Sequence, residues 1–437
     1  MSEPILLGVI AISAMLIIGA LGIPVAFSMM AVGIAGMWYV GGFVFMASTL
    51  KTLPYQVVSE YSFAVIPMFI LMGALASTAG ITTELYSFAN RLFGRVRGGL
   101  LMATTVASAI FAAISGSTVV NATVFTRIAL PEMLRFGYDR GISAGCIAAA
   151  GTFAALIPPS ISLVIVAILT EASIGSLLIA GVLPGILTAV IYILGIAIIV
   201  RVKPGLAPPV GPKLVARSHL EGFLKISPAL ALIIIVLGGI YTGLMFPSSA
   251  GAVGAAGALV IALLRNKLSW SNFWKSLQSS ASSTAVLFFI VIGGLLFSRF
   301  LTFGGFITEL SQIVAGWNLT QMQLILALCV LYLILGMFID TLSILLITIP
   351  FIYPVAKNLG VDVIWFGIIV VKLIEIAAIT PPVGLNLFAV MSASGNSVKS
   401  SELMRGVLPF VVIETFVLGV LIVFPEISTW LPSKMMN

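Results

Sequence analysis

Two short, hydroxyl-rich breaks interrupt otherwise apolar stretches of this chain. Ala113 to Asn121 reads AISGSTVVN inside the apolar run Gly98 to Leu134. Gly336 to Ser343 reads GMFIDTLS at the corresponding place in the second half, and there Asp340 stands in register with Ser117. An unwound turn at membrane depth is tolerated where it lines a cavity or is buried in protein. Ser115, Gly116, Ser117, Thr118 and Asn121 supply hydroxyl and amide oxygens, and glycine lets the backbone bend toward a ligand. Asp340, Thr341 and Ser343, with Thr348 beyond them, add a carboxylate and more hydroxyls. A hard cation such as Na⁺ takes oxygen ligands of these kinds, so the two breaks are expected to be facing halves of one transport site. Asp340 is the sharpest candidate, because a carboxylate in mid-membrane is costly and functional by default. The competing accounts are a structural acid paired with Arg299 or Lys372, and, for the first break, small-residue helix packing.

Two proline pairs echo the breaks. Thr152 to Ser160 reads TFAALIPPS and Thr380 to Asn386 reads TPPVGLN. Paired prolines end a helix and free its carbonyls, so Pro158, Thr380 and Pro381 are candidates for a second wall of each ion site; a simple kink is the alternative. Arg299 ends an apolar segment near Gly304 and Gly305. It can grip a carboxylate bidentately or snorkel to the interface. Arg127 and Lys372 are weaker candidates of the same kind, and Glu375 is a ready partner for Lys372.

The elements that position these residues are membrane helices. Of 437 residues, 60% are hydrophobic and 8% charged, against roughly 25% charged in soluble proteins. Mean hydropathy is +1.23. Apolar segments run 4–21, 24–46, 62–79, 98–134, 141–169, 174–200, 226–244, 247–264, 284–302, 322–356, 364–392 and 405–424. This is an all-α polytopic membrane protein. The first segment, Ile5 to Leu21, has no basic flank and reads as a retained helix rather than a leader. The short alternating strands of an outer-membrane barrel are not visible. The net charge of +7 is explained by loop Lys and Arg rather than by nucleic acid. His219 is the only histidine and lies in a polar stretch; Cys146 and Cys329 lie in apolar ones. That pattern argues against a His-based metal site or Ser–His catalysis, and no organic cofactor is expected. No GxxxxGKS or GxxxxGKT phosphate loop is present, so no nucleotide-driven pump is encoded here.

The halves match. Pro24 pairs with Pro247, Pro131 with Pro354, Pro158-Pro159 with Pro381-Pro382 and Gly137 with Gly360, all at one constant offset. Gly181-Val-Leu-Pro184 recurs as Gly406-Val-Leu-Pro409. Such duplications are typical of secondary transporters. The division is 1–200 for the first repeat, 201–225 for a Pro-, Gly- and Lys/Arg-rich cytoplasmic linker, and 226–437 for the second. If 62–79 and 284–302 are re-entrant hairpins, each repeat crosses five times and the second is inverted. With the linker inside, twelve loop Lys and Arg are internal and six external, which favours periplasmic termini by the positive-inside rule. Lys51 to Glu60 and Trp270 to Ser283 alternate aromatic, basic and polar residues. They read as interfacial bracing arms or as ordinary loops.

Several phrases then carry a family likeness. Ile66-Pro-Met-Phe-Ile-Leu-Met-Gly73, Ala113-Ile-Ser-Gly-Ser117, Ile157-Pro-Pro-Ser-Ile161, Gly181-Val-Leu-Pro-Gly185 and Thr380-Pro-Pro-Val-Gly384 resemble the large (M type) membrane subunit of TRAP, or tripartite ATP-independent periplasmic, transporters. The resemblance covers essentially the whole chain. It implies an elevator-type, ion-transporter-superfamily-like fold in which a transport domain slides against a scaffold. It implies sodium-driven uptake of an organic acid, a C4-dicarboxylate or sialic acid, across the bacterial inner membrane. It also implies a periplasmic substrate-binding protein and a small four-helix membrane subunit, here expected as a separate chain. By motif, Ser115 and Ser117 would line one half of the site, Asp340 and Thr341 the other, and Arg299 the substrate side.

The expectation is therefore a transporter and not an enzyme. It has two inverted repeats with discontinuous helices, lies in the lipid bilayer, and uses Na⁺ as coupling ion. Other accounts are a stand-alone sodium/carboxylate symporter, a non-transporting structural subunit and, more distantly, an intramembrane hydrolase, for which a paired catalytic acid or serine–base motif is missing.

Overall fold

A computed structural model describes residues 2–208, 219–317, 319–336, 339–382 and 384–435. Pro209 to Ser218 of the expected linker, Met337 and Phe338 of the second break, and Val383 after the second proline pair lie outside the described residues. The fold is all-helical, and no strand occurs among the described residues. That follows from the sequence, because apolar segments in lipid must satisfy their backbone groups internally.

The first half of the chain opens with α1 (Glu3–Ala20) and α2 (Val25–Ser59). A hairpin follows, α3 (Val65–Thr78) and α4 (Ile81–Phe93), turning at Ala79 and Gly80. The first interrupted pair is α5 (Gly99–Ser115) and α6 (Thr118–Arg135). Next come α7 (Arg140–Gly151), the single turn α8 (Phe153–Leu156), α9 (Ile161–Thr170), α10 (Ile174–Ala180) and α11 (Val182–Val202).

The second half repeats much of this order. It runs α12 (His219–Tyr241), α13 (Pro247–Leu264), α14 (Trp270–Phe303) and α15 (Phe306–Gly316). The second interrupted pair is α16 (Gln321–Gly336) and α17 (Thr341–Asn358). The chain closes with α18 (Val363–Ile379), α19 (Leu385–Ser394), α20 (Ser400–Val423) and α21 (Glu426–Met435). The starts of α6 and α17, and those of α7 and α18, keep the offset set by the paired prolines. Among the described residues, eight helical segments are long and apolar enough to cross a bilayer. A further pair, 140–156 with 161–170, is bent by 40° at the first proline pair.

Two stretches expected as interfacial arms or as loops are helical, which removes the loop account. α2 continues through Lys51 and Pro54 to Ser59, with its non-helical residue at Gly42. α14 is one helix from Trp270 to Phe303, about 50 Å long at 1.5 Å per residue. The segment expected to begin at 284 therefore begins at 270. Its serines bond back to their own helix: Ser276 Oγ donates to the Asn272 carbonyl at 3.0 Å and Ser280 Oγ to that of Ser276 at 2.8 Å. Such bonds let a helix carry hydroxyls without unwinding. The Ser269 hydroxyl caps the helix start, accepting from Asn272 N at 3.2 Å.

Packing relies on close backbone approach, the usual device where lipid removes any hydrophobic drive between helices. α2 lies along α14, α3 along α13 and α7 along α20. At the α7–α20 crossing, a Cβ added to Gly406 would sit 1.9 Å from the Gly141 carbonyl oxygen, and one on Gly145 would sit 2.4 Å from that of Gly406. Cys146 is buried and Cys329 half-buried, both as free thiols in packed helices.

Candidate functional site

Each break is built by a helix start with a side-chain cap. Ser117 has extended backbone angles, and its hydroxyl accepts from Val120 N at 3.5 Å. Asp340 does the same for α17, its carboxylate accepting from Ser343 N at 3.0 Å. The two caps occupy equivalent places in the two halves, so serine and aspartate perform the same local task. Both types are strong N-caps, and an acid also complements the positive helix end. On the other side of the first break, α5 ends at Gly116, which is left-handed with φ 60°. A side chain there would meet the Pro159 carbonyl oxygen at 2.6 Å, so the break is seated against the first proline pair. Gly73 of the hairpin seats it from the other side, since its added Cβ would lie 2.8 Å from Ser115 Cα.

Polar clasps hold the half-helices together. Asn121 on α6 accepts from Ser108 Oγ at 2.9 Å and donates to the Ser108 carbonyl at 3.2 Å. In the second half, Tyr332 on α16 and Thr348 on α17 share a hydrogen bond of 2.6 Å. Asn121 is fully buried, and its amide is spent on α5.

The breaks meet at a cavity of about 720 Å³. Ser115, Gly116, Ser117 and Thr118 line it from the first half, and Asp340 and Thr341 from the second. Ile161, Ser162 and Leu385, which follow the two proline pairs, complete the wall between them. Ser115 is 2% exposed, and its hydroxyl has no hydrogen-bond partner. Ser343 Oγ is also buried without one. Buried polar atoms are normally satisfied, so orphaned hydroxyls at both breaks mark places where an oxygen-seeking ligand would be welcome. Asp340, half-buried, commits one carboxylate oxygen to the cap and leaves the other outside it.

Other expected residues fall elsewhere. Pro158, Thr380, Pro381, Ser343 and Asn121 stand beside the cavity rather than on its lining. Thr380 Oγ1 donates to the Ile376 carbonyl at 2.7 Å. Arg299 is exposed and lines a separate recess with Gln56, Glu60 and Ser298. Neither Arg299 nor Lys372 pairs with Asp340. Lys372 instead bridges Glu375 at 2.8 Å and Glu414, and donates to Thr188 Oγ1 at 3.2 Å. Tyr192 donates to Glu414 at 2.5 Å. All these side chains are buried, and the cluster ties α11, α18 and α20 together away from the cavity. The expected Lys372–Glu375 pair is thus present, with Glu414 as a third member that spacing could not reveal.

One wall has no counterpart among the residues expected from sequence. Asn272, Lys275, Ser276, Ser279, Ser280 and Ser283 of α14 line the cavity, followed by Val286, Leu287 and Ile290. The signal was there: polar residues at intervals of three and four share one helix face. Thr78 at the hairpin turn joins this wall through a 2.8 Å hydrogen bond with Ser276. Among the described residues, no three His, Cys, Asp or Glu side chains converge on a metal-binding point. The oxygen donors suit a hard, weakly held cation.

An all-helical, membrane-crossing chain whose interrupted helices meet at a cavity studded with hydroxyls and one acid is of the membrane-permease class. Comparison with known proteins gives the family. The description "Tripartite ATP-independent periplasmic transporter, DctM component" fits residues 12–427. The chain is 37% identical over 384 residues to the C4-dicarboxylate TRAP transporter large permease protein DctM of Pseudomonas aeruginosa, covering 87% of this chain and 88% of that one. It is 31% identical over 421 residues to the sialic acid TRAP transporter large permease protein SiaM of Vibrio cholerae, covering 94% and 95%. Among solved structures, the YdaH transporter of Alcanivorax borkumensis shares the fold, with TM-score 0.59 over 87% of this chain and 90% of that one at 14% identity. This chain belongs to the TRAP transporter family as a DctM component, a multi-pass large permease.

Proposed function

We propose that the chain imports an organic acid together with sodium, with the break-lined cavity as the shared site. The observation that carries this is the pairing of the two capped breaks around one cavity, with Asp340 half-buried and Ser115 Oγ orphaned. Helix ends supply both signs of potential. The carbonyl end of α5 and the Asp340 carboxylate favour a cation, while the start of α6, capped by the neutral Ser117, favours a carboxylate. Sodium bound first would order the breaks and raise their affinity for the anion, so the ion's differential affinity drives the cycle.

The matching break positions support two repeats, 1–200 and 226–437, joined by the 201–225 linker. The positive-inside count supports inverted orientation with periplasmic termini. An elevator motion, a small four-helix membrane subunit and a periplasmic substrate-binding protein complete the proposal, in keeping with a tripartite family. The relatives' named substrates suggest a C4-dicarboxylate or sialic acid as the cargo.

The test is uptake into proteoliposomes containing the chain and its small subunit. Labelled succinate and sialic acid are offered with and without the cognate binding protein, under an inward sodium gradient or with potassium in its place. Sodium-dependent uptake that requires the binding protein is expected. Uptake without the binding protein would favour a stand-alone symporter, and uptake indifferent to sodium would remove the coupling ion.

A further inference from the structure

We infer that Lys275, with the hydroxyl face of α14 behind it, is the cationic contact for the substrate's carboxylate. The inference rests on the proposal that the cavity carries an organic anion. Among the cavity's described lining residues, Lys275 is the one basic side chain and Asp340 the one acid. Arg299, the arginine that sequence alone favours for this role, lines a different recess.

The placement of Lys275 is electrostatically unusual. It lies in the second turn of α14, near the positive end of the helix dipole, where anions are the favoured occupants. No acidic residue occupies the first turn to offset it. Lys275 therefore gives the cavity a positive pole on the wall contributed by α14. The same face then changes character along its length. Asn272, Ser276, Ser279, Ser280 and Ser283 give way to Val286, Leu287 and Ile290. Hydroxyls alone would not make a site, but Ser115, buried and without a partner, lines the same space. Lys275 itself is exposed at the cavity edge, on the side the charge count places inside, where a flexible ammonium can meet an anion as it leaves the breaks.

The test is binding of succinate and of sialic acid to the purified complex of this chain with its small subunit, by calorimetry in sodium buffer. Wild type, Lys275→Gln, Lys275→Arg and Asp340→Asn are compared. Because Lys275 is exposed, Lys275→Gln is expected to melt with the wild type. It should weaken binding of whichever acid the wild type takes by about fivefold, the range of one partly screened ion pair. Lys275→Arg should restore most of it. Raising choline chloride should weaken wild-type binding and leave Lys275→Gln nearly unmoved, because screening acts on the lost pair. If Lys275→Gln binds like the wild type while Asp340→Asn loses sodium-dependent binding, the role of Lys275 is refuted and the sodium site stands. If the wild type binds neither acid in a sodium-dependent way, the underlying proposal fails and this inference with it.

Discussion

Asp340 holds two roles at once, and two substitutions separate them. Its carboxylate caps α17 through Ser343 N at 3.0 Å, and it is also the proposed charged ligand for sodium. Asparagine caps about as well as aspartate, whereas alanine costs about 1 kcal/mol. In potassium, Asp340→Asn should therefore melt close to the wild type and Asp340→Ala should lose about 1 kcal/mol. Sodium adds a second comparison. A ligand at 100 times its Kd stabilises the folded state by about 2.7 kcal/mol. A unit charge pair near 4 Å is worth about 4 kcal/mol at an effective dielectric of 20, before desolvation takes back most of it. A net loss of about 1.4 kcal/mol, or tenfold in Kd, is a conservative expectation. At the same sodium concentration the stabilisation then falls to about 1.4 kcal/mol. The assay is thermal melting of the purified complex across a sodium titration at constant ionic strength. Asp340→Asn should match the wild type in potassium and gain about half as much in sodium. An undiminished sodium gain in Asp340→Asn would refute the ligand role. A loss in potassium alone, as large as that of alanine, would show that the carboxylate acts through something other than the cap.

Three further perturbations follow from the packing and the orphaned atoms. Ser115→Ala should leave potassium stability unchanged or raise it by up to about 1 kcal/mol, because it removes a buried unsatisfied hydroxyl, yet it should reduce the sodium gain in the same melting assay. Gly406→Ala should destabilise the protein by at least about 2 kcal/mol, read as lower melting temperature and yield, since its Cβ would meet the Gly141 carbonyl at 1.9 Å. Lys372→Met should cost about 3–5 kcal/mol by stranding Glu375 and Glu414 in a buried cluster, and replacing all three residues with apolar ones of similar volume should recover much of that stability.

Local chemistry was legible in the sequence wherever it dictates backbone. The breaks at Gly116 and Asp340, the proline pairs and the helix starts at Thr118 and Thr341 follow from residues that cannot continue a helix or that cap one. The Lys372–Glu375 pair followed from its spacing. What sequence could not supply was relative placement. Glu414 reaches Lys372 from a different helix, α20 against α18, and Arg299 faces away from the cavity that Asp340 enters. The α14 wall was missed for a different reason. Trp270 to Ser283 reads by composition as an interfacial arm or a loop, and only the helix, with serine hydroxyls bonding back to it, shows the stretch running on into the apolar segment. Asn121 reads as a ligand by type, and only its bonds to Ser108 show it holding two half-helices together.

Coupling of sodium to an organic anion in one cavity, through Asp340, is tested most directly by following both fluxes at once. Labelled sodium and labelled acid are tracked in the same proteoliposomes, with small subunit and binding protein present. The wild type should import both in a fixed ratio, and Asp340→Asn, still folded, should need about tenfold more sodium to drive both fluxes. Acid accumulation without accompanying sodium, or coupled import by Asp340→Asn with the wild-type sodium dependence, would contradict the account.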